Sequence, residues 1–250
     1  TLTKGLPALM LPVVMWRWRW LRILVYAGLV LAVGLPFALA AGWGLSGPSD
    51  GTGLLGAVRI YARYWNFNGG LYHWLEVALS GYKTPGAVPP EVVGPEPIRA
   101  AKTITVVIMG LVLLAVAWAS WRNTREGSAP APSSDSTSGW AANLAMLRLA
   151  VVPPAAYLLL TTTVHPWYVT LLIPLLPFLL PKRGEATHSG RFLWPWIYFS
   201  IAVAFSYTTY WDPDNLREYR LIRQVEYFPL YALLIWAALP VVYENVKRKE

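Results

Sequence analysis

Six hydrophobic stretches alternate with polar gaps along this chain, and that alternation confines it to one class of fold. They run over about 21–43, 103–121, 144–164, 167–180, 192–211 and 227–243. Most approach the ~20 residues that cross a hydrocarbon core of about 30 Å. Lipid offers no partner for an unpaired backbone amide, so each crossing is expected to be helical. The expected fold is all-α: a polytopic membrane bundle of about six transmembrane helices, with residues 1–250 as a single membrane domain. The fourth stretch is short and lies between Pro166 and Pro181, which predicts a tilted, broken or sheltered span.

Basic residues give the expected orientation. Lys4, Arg17, Arg19 and Arg22 precede the first span, and Arg122 and Arg125 follow the second. Lys182, Arg183 and Arg191 separate the fourth from the fifth, and Lys247, Arg248 and Lys249 follow the sixth. If six spans cross in turn, all of these share one side. Arg59, Arg63, Lys83, Arg99, Lys102, Arg217, Arg220 and Arg223 fall on the other. The excess predicts a multi-pass protein of the plasma or cell inner membrane with both termini in the cytoplasm. Arg148 lies inside the third span near its basic end and is read as snorkelling to the interface.

The net charge of +8 accompanies a hydrophobic fraction of 56%, so anionic headgroups explain it better than nucleic acid. Trp16-Arg17-Trp18-Arg19-Trp20 reads as an interfacial anchor before the first span. Without cysteine the chain has no disulfide, iron–sulfur ligand or c-type haem attachment. His73, His165 and His188 map to loops or span ends, which argues against a haem or pigment held inside the bundle. The chain opens on Thr1 without a signal-peptide pattern and is read as a fragment or processed product.

Two segments interrupt the spans. Residues 122–140 are rich in Ser, Pro and Ala and predict a disordered cytoplasmic linker. Residues 44–101 form an external loop expected to carry interfacial helices. In it Leu54, Val58, Tyr61 and Trp65 recur at helical spacing, Asn66-Phe-Asn-Gly-Gly70 interrupts, and Leu71, Leu75 and Leu79 resume. Arg59, Arg63 and Asn66 share one face of the first such helix.

Arg217, Arg220 and Arg223 cluster before the last span, with Glu226 at its mouth. Guanidinium groups near the headgroup plane suit phosphate, and pairing with Asp212, Asp214, Glu218 and Glu226 is the alternative. Ionisable residues at the mouth of a span are functional candidates, and His165 and Glu226 qualify. Gly47-Pro-Ser-Asp-Gly-Thr-Gly53 lacks the lysine of a phosphate loop. These motifs alone do not establish an enzyme.

The block Thr163-Val-His165-Pro166-Trp167-Tyr168-Val-Thr-Leu-Leu-Ile-Pro174 resembles one found in bacterial membrane glycosyltransferases of the GT-C class. It is most similar to the polyprenyl-phosphate-mannose type. Trp65-Asn-Phe67-Asn68-Gly69-Gly-Leu71-Tyr72, Ser206-Tyr207 and Glu226-Tyr227-Phe-Pro229 agree with that family in order. The resemblance covers about 55–240 and looks like the C-terminal half of such an enzyme. It implies a hexosyltransferase that moves a sugar from a polyprenyl-phosphate donor to a lipid or glycan acceptor at the external membrane face.

On this resemblance His165, Arg63, Arg217, Arg220 and Arg223 are candidates for phosphate contacts, and Asn68 and Glu226 for sugar or acceptor hydrogen bonds. Tyr168 joins them as a substrate-binding candidate. No cofactor is identified, and a divalent cation is a possible requirement. Family members carry their catalytic carboxylate in a first external loop near the N-terminus, and no acidic loop precedes residue 44 here. The carboxylate then belongs to a missing N-terminal half or another polypeptide, or catalysis is lost. Glu76, Glu91 and Glu96 are external but do not match the family's catalytic acid. A non-catalytic membrane subunit of a larger complex and a lipid or anion transporter are the alternative functions.

Overall fold

The computed structural model describes residues 8–18, 20–41, 66–80, 95–126, 136–181, 188–211 and 220–247. Among these every regular element is helical: α1 (Leu11–Val14), α2 (Trp20–Ala41), α3 (Leu71–Ser80), α4 (Pro95–Glu126), α5 (Ser136–Leu149), α6 (Val152–Leu160), α7 (Leu193–Ala202) and α8 (Arg220–Lys247). Three stretches are long and apolar enough to cross a membrane: Arg99–Arg125 in α4, Ala141–Leu160 through α5 and α6, and Leu221–Val241 in α8. The first interfacial helix expected before Asn66 lies outside the described residues, and so do 127–135 of the expected linker. The second helix expected in that loop is α3.

The chain divides into two compact units, Val14–Asn66 and a larger one made of Thr1–Val13 with Phe67–Glu250. The smaller holds α2, preceded by a 3-10 turn at Met15–Arg17 and an edge-on contact of the Trp18 and Tyr26 rings at 5.8 Å. Pro36 inside α2 has no N–H, so the Ala32 carbonyl loses its usual helical donor.

In the larger unit, proline decides where α-helix stops. Pro153 and Pro154 open α6 and deprive the end of α5 of two donors, so the chain turns at Ala150 and Val151 before resuming. Pro166 opens the fourth hydrophobic stretch, and Pro174 and Pro177 act the same way within it. It forms two 3-10 segments, Pro166–Leu171 and Ile173–Leu179, in place of an α-helix. The fifth stretch starts as α7 and continues as a 3-10 segment, Val203–Trp211.

The core lies where α6, the 3-10 segments, α7 and α8 meet. Leu158, Val164, Leu172, Phe199, Val203, Tyr227 and Leu230 are buried there. Pro229 inside α8 removes the donor that the Val225 carbonyl would receive, and the Tyr198 hydroxyl of α7 donates to that carbonyl instead.

Two ends of this unit are distinct. At one, Arg148 donates from Nε to the Phe178 carbonyl at 3.0 Å and from its terminal nitrogen to Leu180 at 3.1 Å. Arg148 therefore ties the end of α5 to the end of the fourth stretch, a role more specific than snorkelling. Ser120 of α4 donates to the Val13 carbonyl at 2.6 Å, and Arg125 lies over Trp121 at 4.1 Å. The other end gathers the start of α3, the end of α6, the start of the fourth stretch and the first turns of α8.

Candidate functional site

A strip of extended chain, 67–70, enters this second end and docks beside residues 162–164. The Phe67 N–H donates to the Thr162 carbonyl at 3.1 Å, and the Val164 N–H to the Phe67 carbonyl at 2.8 Å. Isolated bridges pair Phe67 and Asn68 with Thr163. Asn68 takes a left-handed conformation with φ of 52°, which asparagine tolerates better than most residues. A Cβ on Gly69 would stand 2.9 Å from the Thr162 oxygen, and one on Gly70 only 2.3 Å from Tyr227 Cε1. The Asn-Gly-Gly sequence is thus the condition for seating the strip.

The turn carries Asn68 to α8. Its Nδ2 donates to Glu226 Oε2 at 2.6 Å, and the Tyr227 hydroxyl donates to the Asn68 carbonyl at 2.6 Å. Glu226 is fully buried. The backbone amide of Ser206 lies close to the same carboxylate, but Oε1 has no partner at hydrogen-bond distance among the described residues. The buried Tyr231 hydroxyl, pressed against Gly70, has none either.

His165 comes in from the neighbouring strand. Its ring stacks on Phe67 at 4.9 Å and on Trp167 at 4.3 Å, so the imidazole is held between two aromatic planes. Tyr168 meets it edge-on at 5.5 Å, and Tyr207 lies 6.0 Å from Trp167. Trp167 remains more than half exposed, so the stack opens outward.

Arg223, one turn before Glu226, is within electrostatic reach of Tyr227, Glu226 and Glu76. Glu76 accepts a hydrogen bond from the Tyr72 hydroxyl and also acts on Lys102. Burial, reinforced by the Glu76 charge, pushes the Tyr72 hydroxyl well above the ordinary tyrosine range. The site thus joins two carboxylates, a guanidinium, an amide and a confined imidazole. Glu226 keeps one buried oxygen able to accept a further hydrogen bond, and Arg223 sets a positive charge beside it. Among the described residues no cluster of three or more His, Asp or Glu side chains could hold a metal ion.

Family models, curated proteins and solved structures yield no match to this chain.

Of the residues singled out in the sequence, Asn68, His165, Tyr168, Arg223 and Glu226 come together here. Arg63 and Arg217 lie outside the described residues, as does the side chain of Arg220. Sequence reasoning passed over Glu76, Tyr72, Lys102 and Tyr227. A signal was present: Tyr72 and Glu76 are spaced i, i+4 on α3, and Arg223, Glu226 and Tyr227 share one face of α8.

Proposed function

We propose that the chain is part of a membrane glycosyltransferase that uses a polyprenyl-phosphate-linked sugar at the external membrane face. One observation carries the reading. Four pieces of chain that resemble that family, around Asn68, His165, Ser206 and Glu226, meet at one end of the bundle around a buried carboxylate. Asn68 and Glu226 are 158 positions apart in sequence. A structural coincidence of helix packing gives no reason for this many polar and aromatic groups to share an apolar mouth.

In this reading Arg223 faces the lipid phosphate, and Glu226 with Asn68 orients a sugar hydroxyl. His165 adds a flat, confined donor beside the phosphate. Such groups stabilise the charge that builds on a departing phosphate. The general base is left to a carboxylate outside this cluster.

The reading includes six crossings with both termini cytoplasmic. A 3-10 segment rises about 2.0 Å per residue against 1.5 Å in an α-helix. The 14 residues from Pro166 to Leu179 then extend about 28 Å, close to the hydrocarbon thickness. Read as α-helix they would reach only about 21 Å. α7 and its 3-10 continuation together reach roughly 33 Å by the same measure.

The test is transfer in proteoliposomes holding the natural full-length polypeptide, radiolabelled polyprenyl-phosphate-mannose and lipid extract from the native membrane. Label should pass to a new product and fall with His165→Ala and Glu226→Gln. A protein that neither transfers nor retains the labelled donor would overturn the reading and favour the non-catalytic subunit.

A further inference from the structure

Outside the site, α7 and α8 leave an apolar groove of about 500 Å³ between them, which runs from Trp194 and Trp236 toward Tyr198. Trp194, Ile197, Tyr198, Leu233 and Trp236 line it. Trp194 is 58% exposed and Trp236 43%, so the groove is open along its length. Arg191, just before α7, sits at its rim with the guanidinium 5.1 Å over the Trp236 ring. We propose that this groove is a binding site for one anionic phospholipid, its acyl chain lying between α7 and α8 and its headgroup phosphate on Arg191.

Three features converge on that occupant. α8 is long and apolar enough to cross a membrane, so what fills an open apolar groove on it is hydrocarbon. Hydrocarbon alone would not distinguish one lipid from another; a cation at the rim does. A guanidinium held over an indole keeps its charge at the rim, and its planar N–H donors can grip a phosphate through paired hydrogen bonds. Aromatic side chains at the same level suit the interface between headgroup and acyl chain. A soluble peptide is a poorer fit, because the lining offers almost no hydrogen-bonding group to pair its backbone. The site is independent of the proposed transferase activity and uses none of its residues.

The experiment reads tryptophan quenching by brominated phospholipids in vesicles of the intact protein. Brominated phosphatidylglycerol should quench about fivefold more effectively, mole for mole, than brominated phosphatidylcholine at low occupancy, the effect of roughly one basic residue at an anionic surface. Arg191→Gln should abolish that preference. Arg122→Gln, which removes a guanidinium stacked on Trp118 at 5.8 Å away from the groove, should leave it intact. Inorganic phosphate at millimolar concentration should not compete. Equal quenching by the two lipids, or a preference that survives Arg191→Gln, would overturn the proposal. If Arg191→Gln fails to fold, charge reversal of the lipid is read instead: a cationic brominated lipid that quenches as strongly as the anionic one sinks it.

Discussion

The bond between Tyr198 and the Val225 carbonyl exists because of a proline four residues further along α8. In an uninterrupted helix the N–H of residue 229 would donate to that carbonyl, and Pro229 has none. Tyr198→Phe removes the substitute donor while keeping the ring. In the six-crossing reading proposed above, little water is there to replace it. The orphaned carbonyl should then cost about 1–3 kcal/mol. Pro229→Ala restores the helical donor, so in that background Tyr198→Phe should cost under about 1 kcal/mol. The coupling of the pair is then about 1–2 kcal/mol, larger than the ~0.5 kcal/mol scatter of independent sites. Unfolding by SDS titration in mixed micelles, followed by circular dichroism, gives the four free energies. If Tyr198→Phe costs the same in both backgrounds, the hydroxyl is not standing in for the missing amide and the reasoning fails.

Gly70→Ala should destabilise by about 2–4 kcal/mol, because its methyl meets a Tyr227 ring that is both buried and hydrogen-bonded. Gly110→Ala, with nothing within 4 Å, should be neutral or stabilising, and equal behaviour of the two variants in the same titration would refute the packing argument. Glu226→Ala should cost about 1–3 kcal/mol by stranding Asn68, whereas Glu226→Gln keeps an acceptor and should cost under about 1 kcal/mol while labelled-sugar transfer falls roughly tenfold. Equal stability losses would show that the charge itself holds the fold. Arg148→Ala should loosen the junction with the fourth stretch by about 1–2 kcal/mol, seen as faster hydrogen exchange near Phe178 and Leu180; unchanged exchange would mean the two bonds carry nothing. Tyr72 has a raised folded-state pKa, so its contribution is fully present below the ordinary tyrosine pKa of about 10 and is lost as pH rises beyond it. Tyr72→Phe should flatten that alkaline limb, and a limb of unchanged slope would rule Tyr72 out as its source.

The helical class and the positions of the apolar stretches were legible because lipid-facing residues announce themselves by composition, as in α4 and α8. The form of the fourth and fifth stretches was not. Hydropathy does not register backbone donors, and in the fourth stretch it is the missing N–H groups of Pro174 and Pro177 that turn α-helix into 3-10. The short length and flanking prolines of the fourth stretch did signal an interrupted helix. At the site, His165 and Glu226 stood out as ionisable residues at the expected ends of apolar stretches, and Asn68 through the resemblance. Glu76 did not, since its meaning depends on α3 lying against α4 and α8, a long-range fact with only the Tyr72 spacing to hint at it. Asn66-Phe-Asn-Gly-Gly70 read as an interruption between helices. Its role as a docked strip follows from a close approach to Thr162 and Tyr227 that no local pattern encodes.

That docked strip also explains how a carboxylate survives where Glu226 lies. Six residues into α8, about 9 Å from the helix start, it is fully buried. A buried ionisable side chain is costly unless it finds a partner. α8 alone supplies only Arg223 on the same face. The neutral donor has to come from elsewhere, and the chain delivers it by lowering residues 67–70 into the mouth rather than by adding another polar residue to a span. Asn68 reaches Glu226 because its backbone turns left-handed, because Gly70 lets Tyr227 close over it, and because Thr162 and Val164 anchor Phe67. Phe67, so fixed, becomes the inner plane against which His165 stacks. One short strip therefore sets both the carboxylate and the imidazole, and a change that unseats it should disturb the two together. Thr162 and Val164 act through their backbones, so Phe67→Ala keeps the anchor and removes only the plane. It should leave the Asn68–Glu226 bond in place while freeing the His165 ring, visible as a sharpened imidazole resonance. If Glu226 chemistry were lost along with it, the two halves of the site would be coupled through Phe67 itself and not through the backbone of the strip.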